Sequence, residues 1–492
     1  MLIKLTKAFH CCYFILLCLI MVEVVWKMVE GEYFWGLFVV LGLALIYWAV
    51  NPLAGRWSKA VSYKWIWIGA RLVSAAVMLA VAWNLKVELT WDWGYLLKSA
   101  AFYAKNDFAA QPSAYFAQYP NNCFWLYCLI WLYRAVGFFY KALDIDSFYN
   151  VSIVVSCLLI QLSIGYIYRT AKLIWGEKRA LGVGVFALLC APLYLYSGFL
   201  YTDSPGMLFG AMLLFYYLKL KREENWIKGL LYSLIVGVLG ALCYMTKVTV
   251  FIIFIALLVD MLFSIRDIGL RRFGMWILIV AFSIIGTWKS IDALVKTEIT
   301  ITDGMQDRYE FPLTHWVMMG VGKIGGYSPE DVRFTYSFPS YQEKKKENVE
   351  EIKRRVESYG FGGMAKHIFV DKMKRTWCDS CMVGDDYISR VPMNDNSMLY
   401  QILSKQGQEH RRFLQYSWAH YFVLILGMLL SGLRAIIRND RQSLFVGRIA
   451  IFGIILFLSL WECNSRYLLA FLPVLILTGA DGFYPPGNPS NL

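Results

Sequence analysis

Residues 86–122 read KVELTWDWGYLLKSAAFYAKNDFAAQPSAYFAQYPNN. The stretch is polar, aromatic and acidic, it ends on the break Tyr119-Pro120-Asn121-Asn122, and long apolar runs flank it on both sides. Asp92 stands between Trp91 and Trp93, just after an apolar run that closes near Leu85. Indole rings gather at membrane–water boundaries, where one end is apolar and the other wet. A carboxylate set between two of them at the end of an apolar run marks a membrane surface.

Working outward, the chain has 492 residues, 58% hydrophobic and 17% charged. A soluble domain has no use for that much apolar surface. Runs near the roughly 20 residues needed to cross a bilayer recur along it. The expected fold is an all-α polytopic membrane protein of about 12 transmembrane helices. We place spans over 8–29, 33–50, 67–85, 148–168, 180–198, 203–219, 228–245, 249–264, 274–290, 417–437, 445–461 and 466–481. The first follows Lys4 and Lys7 as a signal peptide would, but no small-residue cleavage site closes it, so it reads as an uncleaved span.

Net charge is +13. In a soluble chain that would suggest nucleic acid; here the basic residues collect in short alternate connections. They are Arg56, Lys59 and Lys64; Arg169, Lys172, Lys178 and Arg179; Lys219, Lys221, Arg222 and Lys228; Arg266, Arg271 and Arg272; Arg434, Arg438 and Arg441. Basic short loops face the cytoplasm, which puts the N-terminus inside and the acidic and aromatic connections outside. The apolar stretch 124–140 is interrupted by Arg134, and counting it as a span would turn the 169–179 cluster outward, so it reads as a juxtamembrane or re-entrant helix. The expected organisation is a transmembrane region over 1–290 with a first outer loop at 86–147, an extracytoplasmic loop at 291–416, and a second transmembrane region over 417–492. Within the large loop, Ser328-Pro329 marks a helix start, and 341–359 has Glu and Lys at helical spacing before Gly360, a stop signal. An amphipathic helix is expected over 361–377. No glycine-rich nucleotide loop is present, which argues against ATP-driven transport.

Five outward turns carry residues able to do chemistry. Asp92 can serve as a general base toward an acceptor hydroxyl, or cap a helix. Asp107 reads as a loop or capping acid. Asp203, in Tyr201-Thr-Asp-Ser-Pro205, suits a helix N-cap; facing the same cavity as Asp92, it would split the two proton affinities or share a divalent cation. Lys247, between two apolar runs, either snorkels to water or neutralises a lipid phosphate. Glu462 and Arg466, four apart, can pair on one helix face; arginine also suits phosphate through its planar fork. Cys378-x-x-Cys381 lacks a second pair or a nearby histidine to complete a zinc set, and reads as a local disulfide or two idle thiols. His315, in Pro312-Leu-Thr-His-Trp316, is a packed loop histidine or a base.

Taken in order, the first-loop aspartate, the Tyr-Pro-Asn-Asn turn, the Thr-Asp turn, the Thr-Lys turn, Pro312-Leu-Thr-His-Trp-Val-Met-Met-Gly320 and Glu462-x-x-x-Arg466-Tyr467 resemble type C (GT-C fold) glycosyltransferases. The likeness is to bacterial relatives of the protein O-mannosyltransferase and aminoarabinose transferase group. It covers nearly the whole chain, through motifs that are short one by one. It implies a sugar donor carried on polyprenyl phosphate and a cell-envelope acceptor (glycan, lipid or protein hydroxyl) on the outer face. It implies Asp92 and Asp203 as catalytic acids, and Lys247 and Arg466 at the lipid phosphate, with Glu462, Tyr119, Asn121 and His315 among the substrate-binding positions. No cofactor is fixed by the residues; Mg or Mn is the candidate cation. Asp92 is followed by Trp93 rather than a second acid, and no β-trefoil-like domain is present, so protein O-mannosylation fits less well. A polysaccharide polymerase or ligase, or a lipid-linked sugar flippase, is the alternative.

Overall fold

The computed structural model describes residues 2–38, 63–105, 113–139, 144–438 and 444–484. Most of the expected span over 33–50, and Asp107, lie outside the described residues. Among the described residues the regular structure is helical, apart from one isolated bridge, Val87 to Pro392. Among the described residues, eight helices are long and apolar enough to cross a membrane, and Val248–Phe263 and Phe445–Leu460 are shorter apolar helices.

Consecutive long helices run back and forth, so their ends sort to two poles. At one pole lie the connections after Tyr63–Asn84, before Asp203–Arg222, between Trp226–Thr246 and Val248–Phe263, after Leu270–Glu298, before His410–Arg438 and after Phe445–Leu460. At the other lie the turns near 176, 223–225, 264–269 and 484, with Arg222 reaching the Leu173 carbonyl and Arg434 the Tyr484 carbonyl. Among the described residues, the basic clusters at 169–179, 219–228 and 266–272, with Arg434 and Arg438, lie at this second pole.

Several expectations change in detail. The span expected over 180–198 is two pieces, Glu177–Leu188 and Ala191–Leu195. Pro192, in the first turn of the second piece, has no N–H to continue the ladder, and Tyr194 Oη donates to the freed Leu188 carbonyl at 2.7 Å. The last span likewise opens as a 3-10 helix, Ser465–Phe471, before Leu472–Phe483 with Pro473 in its first turn. The helix Cys123–Phe139 is long and apolar enough to cross when its preceding turn Pro120–Asn122 is included. Its start meets Tyr201 through Asn122, and its far end meets Glu298 through Arg134 and Phe148 through Tyr133. All three partners sit at the first pole, so this helix lies along that end of the bundle. Arg134 is neutralised there by two bonds to Glu298, 2.6 and 2.9 Å.

Residues 303–403 cover the first pole with several short helices and one long one, Tyr341–Lys366. Ser328 caps Pro329–Tyr336 by accepting from the Asp331 amide. The helix Tyr341–Lys366 breaks at Gly360, whose φ of 59° is cheap only for glycine. Beyond it the chain stays helical through a π-turn, His367–Lys372, to Trp377.

Candidate functional site

The site at the first pole begins with Asp203. As the first residue of its helix it does not cap it; both carboxylate oxygens turn to cations. Oδ1 accepts from Lys247 Nζ, and Oδ2 lies 3.8 Å from Arg466 Nε. Asp203 is 3% exposed, so neither cation is a solvated surface charge. Lys247 is placed there because the helices before and after it stop on either side, leaving it in extended backbone, with its ammonium 4.9 Å from the Tyr467 ring centroid. Two cations share one carboxylate, which leaves the cluster one positive charge in excess.

Arg466 stands in an aromatic cage. Its guanidinium lies 5.3 Å from the Tyr201 ring, 5.5 Å from Trp91 and 5.6 Å from Tyr387, and Nη1 donates to Tyr387 Oη at 3.1 Å. Aromatic faces attract cations, more so away from water. Trp91 holds its place with a φ of 43°, uncommon for a bulky residue, stacked on Tyr387 at 4.9 Å. The strained tryptophan immediately precedes Asp92, in the first turn of Trp91–Ala104.

Asp92 accepts from Tyr115 Oη at 2.8 Å, Asn122 donates to the same phenol at 3.0 Å, and Tyr201 Oη donates to Asn122 Oδ1 at 3.4 Å. This chain joins Asp92 to a ring of the arginine cage. Burial, then Tyr201 and Asp92, push the Tyr115 phenol far above its ordinary range, so it stays protonated and donates. On the other side stands Glu462, 6% exposed. Its amide donates to the Trp316 carbonyl at 3.1 Å and its carboxylate accepts from Tyr467 at 3.3 Å. Burial pushes the Glu462 carboxyl up, Arg466 and Tyr467 pull it back, and Asp92 adds to the rise. The Tyr119 ring lies 5.2 Å from Tyr115, the partner of Asp92, and 6.1 Å from Trp316, whose carbonyl takes the Glu462 amide, and its phenol is pushed up by burial and then by Asp92, Tyr327 and Glu462.

Glu462 and Arg466 do not pair on a helix: 461–464 is an irregular turn, and Arg466 turns to Asp203 and Tyr387 instead. Of the two asparagines, Asn122 is buried in the hydrogen-bonded chain while Asn121 is exposed beside it. His315 is buried away from this network, hydrogen-bonded to Thr335 at 2.7 Å and packed at a tilt against the Phe311 ring at 4.3 Å, with burial holding its pKa down to about 3. Cys378 and Cys381 are both free thiols. Asp203 turns its two carboxylate oxygens to Lys247 and Arg466. Among the described residues, the group with metal-holding spacing is Asp379, Cys381 and Asp385. Tyr115, Asn122, Tyr201, Tyr387 and Tyr467 are participants to which sequence reasoning assigns no role, and it reads Trp91 only as an indole flanking Asp92. In a chain with 32 tyrosines, none has a local signal.

Among solved structures, the chain is similar to the archaeal oligosaccharyltransferase AglB from Archaeoglobus fulgidus in complex with an inhibitory peptide and a dolichol-phosphate. Identity is 13% and the TM-score 0.45, over 85% of this chain and 50% of that one. It is similar to ArnT from Cupriavidus metallidurans bound to undecaprenyl phosphate at 12% identity and a TM-score of 0.35, over 86% and 78%. The chain thus spans about half the length of the archaeal enzyme. At these scores neither alignment assigns a role to any residue. No curated protein sequence matches the chain. A family model described as a conserved hypothetical integral membrane protein matches residues 23–481, and the chain belongs to that family of integral membrane proteins.

Proposed function

We propose that this protein is a membrane glycosyltransferase that moves a sugar from a polyprenyl-phosphate donor to a cell-envelope hydroxyl. The observation that carries the reading is the buried Lys247–Asp203–Arg466 cluster, one positive charge in excess, set beside Asp92 and Glu462. A sugar–phosphate bond gains negative charge on the departing phosphate as it breaks, and fixed cations in a dry site lower that barrier. Lys247 and Arg466 supply them. Asp203 orients both and yields room to the phosphate. Asp92, with Oδ1 held by Tyr115, offers Oδ2 to the acceptor hydroxyl and takes its proton. Glu462 and Tyr119 line the acceptor side.

Bond energy in such a donor drives the transfer, so the reading requires no nucleotide site. The sequence pattern supports placing the site on the extracytoplasmic face with residues 291–416 over it. The order of the six motifs supports the GT-C resemblance. A divalent cation, if the reaction uses one, would act on the donor phosphate beside the two side-chain cations.

The test is transfer by purified protein in lipid, with radiolabelled polyprenyl-phosphate sugars as donors and cell-envelope fractions as acceptors. Wild type is expected to label the acceptor. Asp92→Asn is expected to lose about 10²- to 10⁴-fold of that rate, the usual worth of a general base, while inserting and folding normally. Full activity in Asp92→Asn would remove the base assignment. Protein-dependent movement of the donor across vesicles without any glycosyl product would replace the enzyme by a flippase.

A further inference from the structure

The loop that carries Tyr387 to the arginine cage also holds a second constellation. Asp379, Cys381 and Asp385 place a carboxylate oxygen, a sulfur and a second carboxylate oxygen all within 4.8 Å of one another. Cys381 is fully buried, and the Asp385 side chain is 13% exposed. Asp379 is partly used by its own turn: it accepts from the Cys381 amide at 3.0 Å, the Val383 amide at 2.7 Å and Ser465 Oγ at 2.8 Å. Those contacts fix the direction of its carboxylate: Oδ2 accepts two of the three bonds, and Oδ1, which accepts one, keeps a lone pair. The cysteine sulfur has only long contacts, 3.6 Å to Ser417 Oγ and 3.9 Å to Ser380 Oγ.

Independent of the trio, an imidazole points at it from another element. His410, the first residue of His410–Arg438 and 8% exposed, sets Nε2 3.1 Å from Asp385 Oδ2, and its Nδ1 has no hydrogen-bond partner. Two carboxylates and a thiol in a confined space repel as they ionise, and the ion-pair partner the structure gives them is this histidine. One sulfur and two oxygens make a three-donor set of borderline-soft character, and His410 stands behind it, holding the Asp385 carboxylate from a second element. A thiolate in the set selects zinc-class ions over Mg²⁺ or Ca²⁺, which prefer oxygen alone.

We propose that Asp379, Cys381 and Asp385 form a binding site for a zinc-class divalent cation, with His410 orienting the Asp385 carboxylate. It is distinct from the cation cluster of Asp203 and does not rest on the glycosyltransferase reading. The bound ion ties 379–387 to the start of the helix His410–Arg438. Through the Asp379–Ser465 bond it also steadies the turn that presents Arg466, whose partner Tyr387 ends the short helix Gly384–Tyr387. The sequence hinted at metal through Cys378-x-x-Cys381, but the donors are spaced Asp-x-Cys-x-x-x-Asp, and Cys378 stands outside the set.

The test is metal content of the purified full chain, followed by chelation and titration with Co²⁺. Cobalt bound by a thiolate shows a sulfur-to-metal charge-transfer band, a readout separate from activity. Wild type and Cys378→Ser are expected to bind about one equivalent with that band. Cys381→Ser is expected to lose the band, and His410→Ala to bind at least tenfold more weakly. The wild-type titration needs no variant to fold. Failure of chelated wild type to bind Co²⁺ or Zn²⁺, an unchanged band in Cys381→Ser, or loss of the band in Cys378→Ser would each overturn the proposal.

Discussion

Arg466 shows at the scale of one residue what this fold does with charge. Its guanidinium is enclosed by Trp91, Tyr201 and Tyr387 and lies within 3.8 Å of Asp203. Lysine would keep the charge and lose the planar fork and the Nη1 donor to Tyr387. Arg466→Lys is therefore expected to slow transfer roughly 10- to 150-fold, the kinetic equivalent of about 1.5–3 kcal/mol for one charge-assisted hydrogen bond. The effect should appear chiefly in donor dependence, measured by varying the polyprenyl-phosphate sugar at fixed acceptor. Unchanged donor kinetics would mean that Arg466 is a structural partner of Asp203 alone. Lys247→Met leaves Asp203 with one distant partner; breaking a buried pair costs about 3–5 kcal/mol, so thermal unfolding in detergent should shift well below wild type. These charged residues were legible in the sequence because each interrupts an apolar run, where an ionisable group needs a reason to be. The neutral partners were not: Tyr115 and Asn122 act only because three separate segments meet, and no local pattern records that meeting.

Elements at this pole are held by backbone contacts that leave no room. A Cβ on Gly320 would come 2.4 Å from the Leu460 carbonyl oxygen, so the helix Leu313–Gly320 ends directly against the turn carrying Glu462. Lys372 locks that junction, donating to the Gly320 carbonyl at 2.9 Å and the Trp461 carbonyl at 2.7 Å. Burial pulls its pKa down from 10.5 to about 8. The unfolded chain then binds more protons than the folded one between about pH 8 and 10.5, and stability rises with pH across that window. Below pH 8 the burial penalty on the ammonium is fully present. Melting temperature is expected to climb from pH 8 toward pH 10 in wild type and to climb less in Lys372→Met; equal slopes would mean that Lys372 does not titrate there. Helix starts and stops of this region could be read in advance where they depend on local chemistry, as at Ser328 and Gly360. The breaks at Leu189–Cys190 and across Ser465–Phe471 were missed because the hydropathy is continuous there, although Pro192 and Pro473 stood in plain view. The pairing of Glu462 with Arg466 failed for a related reason: spacing of four has meaning only on a helix, and that segment is a turn.

At the scale of the molecule, the hydrophobic runs made the multi-pass helical fold legible, because bilayer thickness sets helix length directly. What remained hidden was which connections converge, since that depends on the order of helices around the bundle. The structure gathers the arginine and lysine clusters near 169–179, 219–228 and 266–272 at one pole and the turns carrying Asp92, Asp203 and Glu462 at the other. If basic short loops face the cytoplasm, everything proposed for Asp92 lies outside. Asn121, beside the Asp92 network, and Lys345, on the helix Tyr341–Lys366, are both exposed at the site pole, while Arg272 is exposed at the other. Single cysteines at these positions can be probed in intact cells with a membrane-impermeant maleimide, with wild type correcting for its own eleven cysteines. Asn121→Cys and Lys345→Cys are expected to react without permeabilisation, and Arg272→Cys only after it. Reversal of that pattern would put the site inside, where lipid-linked donors would have to be met on the inner leaflet. Labelling of Asn121→Cys and Lys345→Cys from opposite sides would separate Asp92 from the segment that covers it, and no single pocket could then serve donor and acceptor.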